Sequence, residues 1–198
     1  MELSEALRRR RMVRRYDPER PVPAATVDLL VAAALRAPSA GHTQGVSLLV
    51  LAAPADVSAY WAETARPGPP DSWLQGMRTA PVLMLVWTSA EAYLDRYAQP
   101  DKGWVDRDPA RWSAPFWYVD AGMASMAALL TAVDCELGAC FFGVPPDRAG
   151  AVRKRFGVPE EQLSVGVVSV GYPAAEGSSR PTRAATRAAT ERVHRGRW

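Results

Sequence analysis

One stretch in the second half of the chain decides the fold: residues 115–143 read PFWYVDAGMASMAALLTAVDCELGACFFG. Small apolar side chains such as Ala121, Ala124 and Ala128 follow the proline and occupy nearly every side of the helical repeat. Since a helix that is apolar all round is a buried helix, the pattern predicts a buried helix over 115–137. Gly138 is expected just beyond its end. The short apolar run Ala139–Phe142 then predicts a buried strand.

Three more short apolar runs predict buried strands elsewhere in the chain, namely VSLLVLAA at 46–53, PVLMLVW at 81–87 and LSVGVVSV at 163–170. Helical spacing of apolar residues predicts helices over Ala24–Arg36, near Asp56–Ala65 and over Asp147–Phe156, the last with Asp147 as its N-cap. Residues 98–113, rich in Asp, Pro, Trp and Gly, predict a long loop, and loops of that length are usually functional.

Helices and strands that alternate in this way predict an α+β or α/β architecture in one domain over 1–198. Residues 174–198 show no core-forming pattern and are expected to form an extended C-terminal tail. The central helix is too apolar for the surface of a monomer. Packing against its twin in a homodimer is one way to bury it.

Composition argues against several classes of protein. The most strongly apolar stretch, Pro81–Trp87, is strand-sized, and no apolar run approaches the roughly 20 residues of a membrane helix, so we expect no membrane partner. The first residues lack the apolar segment of a secretory signal. Two cysteines make neither a disulfide framework nor a metal site, which is typical of a reducing cytoplasm. With only two histidines and no metal-ligand spacing, no metal site is expected.

Positive charge is concentrated at the two ends of the chain. Residues 8–15 carry six arginines and residues 180–198 carry six more, half of the 24 basic residues, whereas 16–179 hold twelve basic and eighteen acidic residues, a net charge of −6. The planar guanidinium fork suits phosphate. Two interpretations stay open at this point: basic arms for nucleic acid, or two ends that converge on one anionic ligand.

Five short segments follow one another in an informative order: RRMVRRY at 10–16, RAPSAGHTQ at 36–44, YVDAG at 118–122, LGACFFG at 137–143 and VVSVGYP at 167–173. Each segment is weak evidence alone. In this order and spacing, over about residues 7–198, the chain resembles the FMN-dependent nitroreductase family.

The resemblance implies an α+β fold: a central, mainly antiparallel sheet of four or five strands flanked by helices, with the long buried helix at a large dimer interface. It implies an oxidoreductase that passes electron pairs from NAD(P)H, through FMN, to a nitroaromatic, a quinone or a similar electrophilic acceptor in two steps. No catalytic side chain is required, because the flavin carries the chemistry and the protein positions and tunes it. No nucleic-acid partner is then expected.

The resemblance also assigns residues to the cofactor. Arg10 corresponds to the phosphate ligand, and Arg14 to the cation near flavin N1 and the C2 oxygen, where it stabilises the reduced ring. Arg183 and Arg187 are the candidates for a second phosphate clamp. The remaining cofactor-binding candidates are Arg11 and Met12, then Pro38, Ser39, Ala40, Gly41, His42 and Gln44 in a loop supplied by the other subunit, and Phe142, Gly143 and Val144 beside the ring.

Four positions depart from the family pattern. Met12 stands where a serine is usual, His42 replaces an asparagine, and Gly45-Val46 replaces Pro-Trp. These changes leave flavin binding intact as an expectation and keep alternatives open. One is a specialised member that fragments flavin, removes halide or dehydrogenates a biosynthetic substrate. Others are a non-redox carrier of flavin or deazaflavin, and a basic-armed protein that binds nucleic acid.

Overall fold

The computed structural model describes residues 1–175 and 192–197. In these ranges the chain forms seven helices and four strands: α1 (Leu3–Arg9), α2 (Ala24–Leu35), β1 (Val46–Leu51), α3 (Pro54–Glu63), α4 (Ser72–Met77), β2 (Val82–Thr88), α5 (Ala90–Tyr97), α6 (Phe116–Asp134), β3 (Gly138–Phe142), α7 (Ala149–Phe156) and β4 (Leu163–Gly171). Short 3-10 turns lie at Ala40–His42 and Pro109–Arg111.

The four strands form one sheet in the order β1-β2-β4-β3, and every neighbouring pair is antiparallel. The predicted α+β fold with a central antiparallel sheet is therefore confirmed. All seven residues of β2 are buried. Met84 lies in the core on one face of the sheet and Leu85 in the core on the other. Because helices cover both faces, the strand is a continuous apolar run and does not alternate with polar residues.

The helices form a layer on each face of the sheet. Helices α2 and α6 contribute the core of one face, with buried Leu30 and Ala128 among its members. Helices α3, α4 and α7 cover the other face, through residues such as Trp61, Met77 and Val152. On α6 the sheet-facing side is lined by small residues, which lets the helix axis approach the strands closely.

The prediction that α6 is buried on all sides is half right. Its inner side is buried, but its outer side exposes Val119, Met123 and Met126, which are 43%, 37% and 36% accessible. Their spacing of four and three residues places them on one face of the helix. In the part of the chain that the structure describes, this face is an exposed apolar surface.

Three predicted boundaries are wrong. Helix α6 ends at Asp134, three residues before Leu137, and Glu136 beyond it has a left-handed φ of 60°. Strand β1 ends at Leu51, not Ala53, because α3 starts at Pro54. Helix α7 has Arg148, not Asp147, at its N-cap, without a side-chain capping bond. Helices α4 and α5 were not predicted.

Helix α6 has 19 residues and a mean hydropathy of 1.3 over its most apolar 18-residue window, so by length and composition it could cross a membrane. The expectation that no apolar stretch reaches this length is therefore wrong for α6. Buried core helices of folded proteins meet the same criterion. Here the helix packs on α2 and on the strands.

Candidate functional site

The first motif, residues 10–16, lies along the edge strand β3. Met12 forms a parallel bridge with Ala139, and the backbone N–H of Val13 donates to the carbonyl of Ala139 at 2.9 Å. The backbone N–H of Tyr16 donates to Oγ1 of Thr79 at 2.8 Å. The segment is therefore bonded to the sheet and to the turn after α4, which fixes where its side chains point.

Tyr16, the last residue of this segment, holds it to the sheet by hydrogen bonds of its phenol group. Its Oη lies 2.7 Å from the carbonyl oxygen of Val13 and 2.7 Å from Oγ of Ser169. The ring is 1% exposed, and burial raises the pKa of the phenol well above its ordinary value. A buried aromatic at the end of the motif thus joins the arginine segment to the centre of β4.

The arginines of this region divide into two groups. Arg8 and Arg9 lie exposed on α1 and each form an ion pair with Glu5 at 3.8 Å. Within 1–175 and 192–197, Arg10, Arg11 and Arg14 form no ion pair with a carboxylate. Among the described residues, the Nη1 atom of Arg10 is buried and has no hydrogen-bond partner.

A buried guanidinium nitrogen without a partner is costly, and Arg10 shares this feature with Arg148 and Arg153. At Arg10 it fits an anion site because Arg11 and Arg14 lie in the same motif. Arg14 lies beside Cys140 in the same strand region. Burial raises the pKa of the Cys140 thiol, and the charge of Arg14 partly opposes that rise. Cys140 is buried, as a packed thiol of the strand.

Met12 has a structural reason to replace a serine. Its Sδ accepts a hydrogen bond from the backbone N–H of Phe141 at 3.4 Å, and the side chain packs against the cores on both faces of the sheet. The long, flexible thioether fills the space where the segment crosses the sheet edge. The position therefore contributes packing here.

Three of the predicted cofactor-binding residues lie where β3 ends. Phe142 is the last residue of the strand, and Gly143 and Val144 follow it. The Phe142 ring stacks on Trp61, with centroids 5.8 Å apart and planes at 8°, and contacts the edge of Trp73 at 5.6 Å. These rings border a cavity of about 590 Å³. Its walls include Tyr60, Trp61, loop 64–71, Trp73, Leu74, Arg78, Phe142 and Gly143.

The sequence did not predict this cavity. No site was predicted at residues 64–71, and α4 was missed because its six residues are too few for a helical repeat. The signal that could have found it is a Pro- and Gly-rich loop placed between two tryptophans, Trp61 and Trp73. The charged residues of the wall are two arginines, Arg66 and Arg78, and one carboxylate, Asp71.

The second motif, residues 38–44, forms a tight loop between α2 and β1. Gly41, His42 and Gln44 all adopt left-handed backbone angles, with φ of 61°, 56° and 56°. Two of these are not glycines, and such strain persists only where the surroundings enforce it. The side chains of His42 and Gln44 are exposed, as is Pro38, while Ser39, Ala40 and Gly41 are partly buried.

Contacts inside the loop hold it in this form. The Oγ of Ser39 accepts a hydrogen bond from the backbone N–H of Gln44 at 2.9 Å, so Ser39 closes the turn. A Cβ on Gly41 would lie 2.7 Å from the ring of Tyr97, so only glycine fits there. The carbonyl of Gly41 accepts from Nε of Arg96 at 2.8 Å.

Asp120 links this loop to α6. It lies inside the first turns of the helix, is 2% exposed, and does not cap it. Its Oδ2 accepts hydrogen bonds from the backbone N–H of Ala40 at 2.8 Å and from Oη of Tyr93 at 2.7 Å. The carboxyl group thus orients the loop, not the helix end.

The two motifs lie at diagonally opposite corners of the sheet. Val46, just after the loop, pairs with Thr88 at one end of β2, whereas Ala139 beside Met12 pairs with Val170, which pairs with Val82 at the other end. Three strand spacings are about 14 Å and six residues along a strand about 20 Å. Within one chain, the two motifs therefore do not converge on one site.

The aromatic residues around the long loop pack on one another. The members of this cluster are Tyr93, Tyr97, Trp104, Trp112, Phe116 and Trp117, with centroids 4.3–6.3 Å apart. Packing of these rings against one another accounts for this arrangement. Arg183 and Arg187 lie outside the described residues. Within the described ranges, no group of three or more His, Cys, Asp or Glu side chains could hold a metal.

Comparisons with known proteins cover the part of the chain that carries these motifs. The family model described as "Nitroreductase family" matches residues 7–172. A protein of Methanothermobacter thermautotrophicus named "Putative NADH dehydrogenase/NAD(P)H nitroreductase" is 27% identical over 206 residues, covering 100% of this chain and 88% of that protein.

Solved structures share the fold. A nitroreductase-like protein from Streptococcus mutans aligns with a TM-score of 0.75 and 15% identity over 96% of both chains. A "putative nitroreductase in complex with FMN" from Exiguobacterium sibiricum aligns with a TM-score of 0.74 and 18% identity, over 98% of this chain and 97% of that one. Because the family model spans most of the sequence, this chain belongs to the nitroreductase family.

Proposed function

We propose that this protein is an FMN-dependent oxidoreductase that passes electron pairs from NAD(P)H to a nitroaromatic, a quinone or a similar electrophilic acceptor. The observation that carries the proposal is the buried, unpartnered Nη1 of Arg10 within a motif bonded to the edge of β3. Family membership supports the oxidoreductase class, and the name of the relative from Methanothermobacter thermautotrophicus supports the nicotinamide donor.

The residues present fit an FMN phosphate. Arg10 and Arg11 have no carboxylate partner among the described residues, and Arg10 already has a desolvated nitrogen that lacks a hydrogen bond. A phosphate oxygen would complete that hydrogen bond and neutralise the charge. Arg183 and Arg187 stay candidates for the second clamp. The solved structure from Exiguobacterium sibiricum is a complex with FMN.

The isoalloxazine ring would lie between Arg14 and the residues Phe142, Gly143 and Val144. Bound FMN would supply hydride acceptance from the nicotinamide and donation of an electron pair to the acceptor. Arg14 would hold positive charge at the pyrimidine end of the ring, which favours the reduced form. The cavity of about 590 Å³ beside Phe142 is within the range of small-ligand sites.

The loop at residues 38–44 would reach the flavin of the other subunit in a homodimer. The support is geometric, since the loop and the arginine motif lie at opposite corners of one sheet. The exposed apolar face of α6, formed by Val119, Met123 and Met126, offers the surface for association. A two-fold axis would bring the loop of one subunit to the arginine motif of its partner.

The test is direct. The purified protein is examined by absorbance spectroscopy and by mass spectrometry of the compound released on heating, and apoprotein is titrated with FMN. We expect a bound flavin with the mass of FMN, a dimer at micromolar concentration, and anaerobic bleaching by NADH or NADPH followed by reoxidation with a quinone. A colourless monomer that takes up no added FMN would contradict the proposal.

A further inference from the structure

The loop at 38–44 is bound from the inside by a buried carboxyl group that the proposed chemistry does not use. Oδ2 of Asp120 accepts two hydrogen bonds, from the backbone N–H of Ala40 at 2.8 Å and from Oη of Tyr93 at 2.7 Å. Asp120 is 2% exposed and Tyr93 is fully buried. Burying a carboxyl group is costly unless its hydrogen bonds are made. Here one bond goes to the loop itself and the other to Tyr93 beside it.

Asp120 bonds the loop immediately before its strained part. The backbone N–H of Ala40 donates to Asp120, and Ala40 directly precedes Gly41 and His42, which have left-handed backbone angles. Left-handed backbone angles are unfavourable for residues other than glycine, so such a loop needs external bonds to hold its form. The side chains that this form leaves exposed are those of His42 and Gln44.

The Tyr93 ring supports the same loop from a second direction. A Cβ on Gly45 would lie 2.4 Å from Cε2 of Tyr93, so the ring packs directly on the backbone where β1 begins. The carbonyl of Gly45 accepts a bond from the N–H of Ser89 at 3.2 Å. Asp120 therefore holds Ala40 directly and Gly45 through Tyr93, one at each side of the left-handed residues.

We infer that Asp120 is a positioning residue: through Ala40 and Tyr93 it sets the conformation in which the loop of one subunit meets the flavin of the other. This inference rests on the proposed function. It requires the carboxyl group as a hydrogen-bond acceptor and does not require a proton transfer by Asp120.

Substitutions at Asp120 separate positioning from general packing. Asp120→Ala removes both bonds and should weaken FMN binding about 10- to 100-fold, measured by flavin fluorescence titration. Asp120→Asn keeps an acceptor oxygen and should recover most of that affinity. Ser125→Ala is the matched control, because Ser125 is equally buried on α6 and donates only to the carbonyl of Ala121. Wild-type affinity in Asp120→Ala, or equal losses in the alanine and asparagine variants, would overturn the inference.

Mixed dimers give a readout that misfolding cannot imitate. Differently tagged Asp120→Ala and Arg10→Ala chains are co-expressed and purified through both tags. If the loop serves the opposite flavin, one site combines the intact loop with the intact arginine and the other carries both defects. One FMN per dimer should therefore bind with wild-type affinity. No site of wild-type affinity would overturn the inference, since each site would then carry one defect.

Tyr93→Phe provides an independent arm if Asp120→Ala does not fold. It removes one of the two bonds and keeps the ring against Gly45, so FMN affinity should fall roughly 3- to 10-fold. Unchanged affinity would contradict the inference. Failure of the proposed function is seen separately, because wild-type protein would then take up no FMN before any variant is compared.

Discussion

The carbonyl oxygen of Arg14 lies directly against the α-carbon of Gly76: a Cβ on Gly76 would approach that oxygen to 2.2 Å. The contact joins the arginine motif to α4, a helix that the sequence did not predict. Only a residue without a side chain lets the two backbones meet at this distance. The position of Arg14 beside β3 therefore depends on a glycine about sixty residues away.

Gly76→Ala should displace the motif. We expect a loss of about 1–3 kcal/mol in the free energy of unfolding, as for overpacked cores, together with weaker FMN binding. Denaturant unfolding and FMN titration measure the two effects. Gly150→Ala is the control, since no atom lies within 4 Å of its added Cβ. If Gly76→Ala matched Gly150→Ala in both measurements, the contact would be unimportant.

Arg10→Ala should weaken FMN binding about 10- to 100-fold, because the variant loses a charge-assisted hydrogen bond to the phosphate. The measurement is flavin fluorescence titration at low and high salt, and the salt dependence should decrease in the variant. Arg9→Ala is the matched control, because Arg9 is exposed and pairs with Glu5. Equal losses in the two variants would argue for a general effect of charge.

Met123→Glu should convert the proposed dimer to a monomer, because it places a charge in the middle of the apolar face of α6. Flavin content should fall together with dimer content, since each site needs both subunits. Light scattering after size exclusion and the absorbance spectrum report both quantities. Val105→Glu introduces the same charge at a 79% exposed position and should change neither. A monomeric variant that retained FMN would refute the shared site.

Gly45→Ala should push the Tyr93 ring away from the loop, because the added Cβ would lie 2.4 Å from Cε2. We expect destabilisation of about 1–3 kcal/mol and a lower affinity for FMN. The departure from Pro-Trp at Gly45-Val46 thus has a packing reason. Thermal unfolding and FMN titration check it, and retention of wild-type values for both would show that the ring has room to move.

Stability should fall at high pH. Burial raises the pKa of Tyr16 and of Tyr60 above their ordinary value of about 10. The unfolded chain therefore ionises these phenols first, so the free energy of unfolding is intact below about pH 10 and decreases as the pH rises above it. Tyr60→Phe should make that decrease shallower, as measured by urea unfolding between about pH 8 and pH 11. Parallel curves for variant and wild type would contradict the assignment to Tyr60.

Much of the fold could be read from the sequence because its signals are local. The apolar runs at β2 and β4 and the small-residue pattern of α6 depend only on neighbouring residues, and the structure confirms them. Helix α4 was missed because six residues carry too little periodicity. Helix α5 was missed although its eight residues are amphipathic. Boundaries such as the end of α6 depend on single backbone angles, as at Glu136.

By itself, the sequence determined the four strands and the five segments that mark the family, because residue type and order encode these directly. The α+β class followed from the resemblance to that family. Only the tertiary structure decided that Arg10 has a buried nitrogen without a partner, that Asp120 holds the 38–44 loop, and that the two motifs lie at opposite corners of the sheet. The physical reason is that these properties arise from contacts between residues distant in the chain, whose burial and distance depend on how the layers pack.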